Sequence, residues 1–469
     1  MAAPVAPGAE GGEALTHARV WRIAGPIVLA NVTVPLLGIV DTGVVGQMGQ
    51  AAPIGAVGLG AVVLTAIYWV FGFLRMGTTG LAAQARGRGE GGEVAALLSR
   101  ALLIAGAAGA AVIVLQRPLF AGAFALAPAS EEVEALARGY MGIRVWSAPA
   151  VIALYGVTGW LIAQERAGAV LALQLWMNGL NIALDLVFVL SLGWGVEGVA
   201  FATFLAEWSG LALGLWLCRD AFATPAWRDR ARVLDPARLR RMAAVNADIL
   251  ARSLLLQAAF VSFLFLAADL GDVTLAANQV LLQFLEVTAY ALDGFAFAAE
   301  ALVGQAFGAA AVPRLRRAAW LASLWGGVAA VGLALGFALA GPAVIDLMVA
   351  TVPDAVPDAG PNAGPNAGPG EGEAVRAAAR AYLPWVVAAP VVGLASWMLD
   401  GIFIGATRTR DMRNMMALAF LAYLAAVAAL LPLFGNHGLW AALTLFLVAR
   451  AVTLGARYPA LERAAAAGG

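Results

Sequence analysis

Apolar runs long enough to cross a bilayer follow one another along almost the whole chain, and this dictates the fold class. A hydrocarbon core ~30 Å thick takes ~20 helical residues to cross. Twelve such runs can be placed, at roughly 20–46, 53–75, 94–116, 137–160, 168–190, 195–217, 245–268, 274–300, 318–340, 380–403, 414–434 and 437–456. Hydrophobic residues make up 62% of the chain and charged residues 12%, where soluble domains carry about 45–50% and about 25%. The expected fold is an all-α polytopic membrane protein with twelve transmembrane helices, not a soluble domain on an anchor.

Arginine placement orients the spans, because basic residues concentrate in cytoplasmic loops. With the N-terminus inside, the cytoplasmic connections receive Arg86, Arg88, Arg166, the cluster from Arg219 to Arg241, Arg314, Arg316, Arg317, Arg408, Arg410, Arg413 and Arg457. The external connections carry Glu131, Glu132, Glu134, Asp269, Asp272, Asp354 and Asp358. Both termini are thus expected in the cytoplasm. Residues 1–17 read as a disordered cytoplasmic tail without a cleavable leader, and 457–469 as a second tail. Between them lie an N-terminal six-helix lobe (18–217), a basic linker (218–244) and a C-terminal six-helix lobe (245–456). An external insert near 351–375, rich in Pro, Asn and Gly, cannot build a packed core.

The two lobes repeat. GLAAQARG at 80–87 is echoed by ALVGQAFG at 301–308, so that Gln84 corresponds to Gln305, 221 positions on. GWLIAQER at 159–166 parallels GIFIGATR at 401–408, 242 positions on. An even number of spans per half makes this a parallel repeat about an axis along the membrane normal, a recurrent transporter plan. The expectation is two pseudo-symmetric six-helix bundles.

Carboxylates inside spans are expensive and mark functional candidates. Asp41 lies in a first span that also holds Pro26 and Pro35, each of which should bend or weaken the helix locally, with a helix break expected at Pro35. Arg22 to Asp41 and Arg166 to Asp185 are both separated by 19 residues, or ~28 Å of helix, so the two aspartates reach similar depth. Asn181 shares a helix face with Asp185, and Asn178 lies a turn earlier. This group could share a proton or ligate sodium; the alternative is an interhelical hydrogen-bonded staple. Glu286, Asp293 and Glu300 fall near one helical face, and Asp293 and Asp400 lie toward the cytoplasmic side, either lining a cavity or bracing a gate. Asp248 and Arg252 have the spacing of a local ion pair. Glu207 has no evident sequence partner. Tyr155 is among many scattered aromatics that could line a cavity or fill the core.

Other chemistries find little footing. Cys218 is the single cysteine, His17 and His437 lack metal-ligand spacing, and the glycines at 87–92 lack the lysine of a phosphate loop. No metal or cofactor is expected. The formal net charge is +0, which gives no hint of a nucleic-acid partner. A lipid or oligosaccharide flippase, a non-transporting scaffold, and a lipid-modifying enzyme built on Asp293 and Asp400 are the competing readings.

Several long stretches resemble one known family: PLLGIVDTGVVGQ at 35–47, NxxxD at 181–185, NADILARS at 246–253, LDGFAFAAEALVGQAFGA at 292–309 and LDGIFIGATRTRDMRN at 399–414. The chain resembles the multidrug and toxic compound extrusion (MATE) family, particularly its DinF-like branch, over about residues 18–456. The resemblance implies a secondary active exporter of small organic, amphipathic or cationic compounds in the bacterial inner membrane, working as a monomer and contacting lipid. It implies coupling to proton entry, with sodium as the alternative ion, through Asp41, Asn181 and Asp185. It further implies a bending role for Pro26 and places Tyr155 near the site.

Overall fold

The computed structural model describes residues 15–47, 51–350 and 370–468, and leaves the side chains of 34–42, 45 and 51 undescribed. Most of the external insert therefore lies outside the described residues. The first span is α1 (His17–Gly46). The second is α2 (Ala51–Trp69) and α3 (Phe73–Gly87), joined by a single 3-10 turn at Val70–Gly72. Then come α4 (Gly91–Val114), a short α5 (Gln116–Leu126), and a fourth span made of α6 (Glu131–Arg144) and α7 (Ala148–Ala163). The fifth span, α8 (Ala167–Asp185), continues into a π turn at Leu186–Ser191, and α9 (Gly195–Leu217) ends the first half. Short helices α10 (Arg219–Phe222) and α11 (Arg230–Val233) lead to α12 (Pro236–Ala268), α13 (Asp272–Gly308), α14 (Val312–Val349), α15 (Glu371–Gly405), α16 (Thr409–Phe434), α17 (Asn436–Gly455) and α18 (Tyr458–Ala466). Eleven stretches among the described residues are long and apolar enough to cross a membrane; α1, at 30 residues, makes the twelfth. The all-α, twelve-span expectation holds.

Neither proline breaks α1. The helix runs without interruption past Pro26 and Pro35, because a proline removes one intrahelical hydrogen bond while flanking turns keep theirs. The expected break at Pro35 is thus absent in this conformation. The connection after α9 is folded rather than loose. Arg100, buried on α4, donates to the carbonyls of Val233 (3.0 Å) and Arg232 (2.7 Å) and pairs with Glu93 at 2.6 Å. Ser99 adds a bond to Trp227 O at 2.7 Å. At the C-terminal end α18 buries Leu461 and Ala465, and Glu462 takes two bonds from Arg316 at 2.8 Å.

The apolar core is shaped like a Y. One cluster draws Val20 to Ile27, Leu74 to Ala85, Val94 to Ala105 and Ile152 to Ala167 from the first half together with Phe295 to Phe307, Leu315 to Ala322 and Met398 to Ala406 from the second. Away from this end the core divides. One arm belongs to the first half, around Tyr68, Tyr140 and Val145, and the other to the second, around Phe263, Tyr423 and Trp440. The shared stem lies at the arginine-rich end, so the lobes are closed together there.

The repeat seen in sequence is exact in backbone terms at that end. Gly87 lies so close to Gln305 that an added Cβ would sit 2.0 Å from its carbonyl oxygen, and Gly308 stands in the same relation to Gln84 at 2.1 Å. Left-handed backbone recurs likewise, at Gly89 (φ 74) and Ala310 (φ 52), and at Glu165 (φ 57) and Thr407 (φ 49). Residues 89 and 310 differ by the first offset, and 165 and 407 by the second. This close approach generates a prediction. Gly308→Val should destabilise the closed seam by about 1–3 kcal/mol, read as a lowered melting temperature of the purified protein. Gly332→Ala, where nothing lies within 4 Å, should leave the melting temperature nearly unchanged.

Candidate functional site

The polar face of α8 packs against α1 and α9. Asn178 donates to Thr33 Oγ1 at 2.9 Å and accepts from Gln174 at 3.0 Å. One turn on, Asn181 donates to Thr203 Oγ1 at 3.1 Å. Asp185, the last residue of α8, is fully buried. The 3.6-residue period places all three on one face, and Thr33 ties that face to α1. The side chain of Asp41 lies outside the described residues, so the expected Asp41–Asp185 pairing stays an expectation. Tyr155 on α7 is half-buried, within electrostatic reach of Glu207 and Arg75.

The expected acids of α13 have three different fates. Glu286 is exposed, Asp293 is half-buried, and Glu300 is buried. Glu300 takes bonds from both terminal nitrogens of Arg75, at 3.0 and 3.3 Å. The same guanidinium lies 3.9 Å from the ring centre of Phe297. Arg75 comes from the first turn of α3, so this ion pair crosses between lobes. Asp293 sits within electrostatic reach of Arg75, Glu300, Arg252 and Asp400. Asp400 is bound by two arginines of its own lobe, Arg252 and Arg450, the latter at 2.6 Å. It therefore braces α12, α15 and α17. The expected Asp248–Arg252 pair does not form. Asp248 bonds to Arg413 at 2.6 Å and Thr409 at 3.1 Å, because both ends of that i, i+4 pair point to different neighbouring helices. Glu207 has a partner after all, Arg144 at 2.7 Å, whose backbone carbonyl accepts from Tyr68 at 2.9 Å.

Two side-chain amides bridge the closed end. Gln84 donates to Gly405 O at 3.0 Å, and Gln305 donates to Ala163 O at 3.0 Å. Gly405 ends α15 and Ala163 ends α7, so each amide satisfies a helix-terminal carbonyl of the opposite lobe. Beside them Arg19 holds Glu165 at 2.6 and 2.7 Å. Burial pushes the Glu165 carboxyl up, but Arg19, Gln305 and Arg86 override it and hold the group below its usual range.

With this geometry in view, the MatE family model matches residues 26–187. "DNA damage-inducible protein F" of Escherichia coli (strain K12) is 38% identical over 93% of this chain and 90% of its own. The chain belongs to the MATE family. Its similarity to that relative places it in the DinF-like branch, and it is a transporter rather than an enzyme. "Probable multidrug resistance protein NorM" of Caulobacter vibrioides is 28% identical, covering 68% of each chain. The fold matches a crystal structure of a MATE protein in a bent conformation with a TM-score of 0.81 at 18% identity, covering 96% of each chain.

The arginines that meet the acids of this MATE chain carry a signal of their own. Arg75, Arg144, Arg252 and Arg450 are all arginines within spans, and a charged residue at that depth announces a partner. The signal was present; the pairing was not, since the partners lie 50 to 225 positions away. A second missed feature is the reciprocal amide pair of Asn278 and Asn436, at 2.7 and 2.9 Å, capped by Trp440.

Two predictions follow from these pairs. Removing one partner of a buried ion pair leaves the other charge uncompensated, at about 3–5 kcal/mol. Arg75→Gln and Glu300→Gln should each lower the melting temperature markedly, and the double variant should recover much of the loss in a double-mutant cycle. The depressed Glu165 carboxyl contributes stability that is present above its ordinary value of 4.5 and is lost as pH falls through its lower folded value. Melting temperature against pH should therefore fall less steeply below 4.5 in Glu165→Gln than in the native protein.

Proposed function

We propose that this chain exports small organic compounds, amphipathic or cationic, by alternating access coupled to an inward ion gradient, with the proton the favoured ion over sodium. The observation that carries the reading is the buried row of Asn178, Asn181 and Asp185 on the face of α8 that packs against α1 and α9, in a lobe whose described apolar core merges with that of its partner at the arginine-rich end. Carboxylates at such depth are costly unless they are paired, exchange a proton or hold a cation, and acids so placed mark ion pathways and proton relays. In this reading Asp41 joins Asp185 and Asn181 in the coupling site. Protonation there, with Pro26 and Pro35 weakening the helix, lets α1 bend and changes which substrate contacts are available. The uninterrupted α1 is then one of two conformations.

The arginine-rich end faces the cytoplasm, with both termini there and the chain in the bacterial inner membrane. The closed stem of the Y then shuts the cleft inward. Glu286 and Asp293, on the less buried part of α13, line the cavity between the arms, with Tyr155 at the edge of the coupling site. Asp400 braces the second lobe. One copy of the chain holds both lobes and suffices for transport. Efflux of varied compounds agrees with the naming of the Caulobacter relative as a multidrug resistance protein.

The test is flux in vesicles with a defined proton gradient, repeated with sodium. Asp41→Asn and Asp185→Asn preserve side-chain volume but cannot exchange a proton. Both should insert normally and lose concentrative efflux, by at least about tenfold, equivalent to ~1.4 kcal/mol. Asp354→Asn in the insert should leave flux unchanged. Native flux with native ion dependence in Asp41→Asn would remove that residue from the mechanism.

A further inference from the structure

At the closed end a cavity of about 310 Å³ opens between the lobes, away from the coupling site. Among the described lining residues, four arginines, Arg88, Arg100, Arg238 and Arg241, meet two carboxylates, Glu90 and Glu93, and Gly468 closes one side. Arg100 is consumed by Glu93 and by two backbone carbonyls. Arg238 shares the same Glu93. Arg88 pairs only with Glu90, and both side chains are partly exposed, so that pair binds weakly. Arg241 has a neutral partner, the Gln84 amide oxygen at 3.3 Å. Among the described residues positive charge is thus left over in a half-open cavity, with Leu81, Leu97 and Phe307 forming apolar wall.

We propose that this cavity binds a phosphate group, carried by an anionic phospholipid headgroup or free in solution, which ties the two lobes together. Guanidinium groups match phosphate oxygens in charge and fork geometry. Arg88 stands at the end of α3 in the first lobe, while Arg238 and Arg241 stand on the opening turns of α12, which leads into the second. An anion held by both bridges the seam directly beside the Gln84–Gly405 contact. A ligand that binds only the closed arrangement stabilises it by mass action. An anionic leaflet supplies such a group at high local concentration, and the apolar wall suits the glycerol end of a lipid. Binding does not depend on the transport reading, except that the lipid source assumes this end faces the anionic leaflet.

The experiment uses the full chain in neutral detergent, without any gradient, so that failed binding and failed transport are separately visible. Phosphatidylglycerol, phosphatidylcholine and inorganic phosphate are titrated in turn while the melting temperature is followed. Phosphatidylglycerol should raise it saturably, and phosphatidylcholine should not. An equal rise with inorganic phosphate supports the site and assigns the free anion as its source; a rise with the lipid alone assigns the headgroup. Arg88→Gln combined with Arg241→Gln should weaken the apparent affinity by about tenfold, ~1.4 kcal/mol. Arg316→Gln, which breaks an exposed pair with Glu462, should bind like the native protein. Single Arg241→Gln, which forfeits one bond to a neutral amide, carries the test if the double variant does not fold. Unaltered affinity in the arginine variants, an equal response to phosphatidylcholine, or no response to either phosphate overturns the proposal.

Discussion

A helix ends with carbonyl groups that have no partner within the helix, and away from water each one must be met by something else. In this molecule the ends of α7 and α15 are met by glutamines from the opposite lobe, Gln305 on Ala163 and Gln84 on Gly405. Each lobe therefore finishes a helix of the other. The rest of the closed end is arranged around that exchange. The glycines at 87 and 308 allow the backbones to approach, and the left-handed residues at 165 and 407 turn the chain away immediately afterward. Opening this end requires water to reach both carbonyls and both amides, which is what an alternating cleft admits.

Charge inside the lobes serves a different purpose from charge between them. The Arg144–Glu207 and Asp400–Arg252–Arg450 contacts bind helices of a single lobe. They are poor sources of net stability compared with apolar packing, since desolvation consumes most of the Coulomb gain. Their value lies in register: a bidentate or forked pair is satisfied in one helix arrangement and violated in neighbouring ones. Arg75–Glu300 applies the same rule across the seam, beside the half-buried Asp293.

Much of this was legible in the sequence for local reasons. Span length and arginine bias are properties of single segments, and the repeat around Gln84 and Gln305 is a direct comparison of strings. The row Asn178, Asn181 and Asp185 follows from helical period alone. What resisted reading was pairing. Asp248 and Arg252 have the spacing of partners, yet their side chains face separate neighbours, and only tertiary packing decides that. Glu207 appeared isolated because Arg144 belongs to another helix 63 positions away. Pro35 reads as a break because proline chemistry is local, whereas the continuity of α1 depends on the turns that flank it.

The seam includes side chains that have almost nothing to rearrange. Ala82, Ala83 and Ala85 on α3 are completely buried, as are Ala298, Ala299 and Ala301 on α13. Alanine has no rotamers to lose on burial or regain on exposure. Where two such alanine surfaces meet they can part and rejoin without a search among side-chain conformations, which leaves the polar latches and the larger neighbouring side chains to resist motion. At those alanine positions a single substitution to a long, branched side chain would add friction that the native contact lacks.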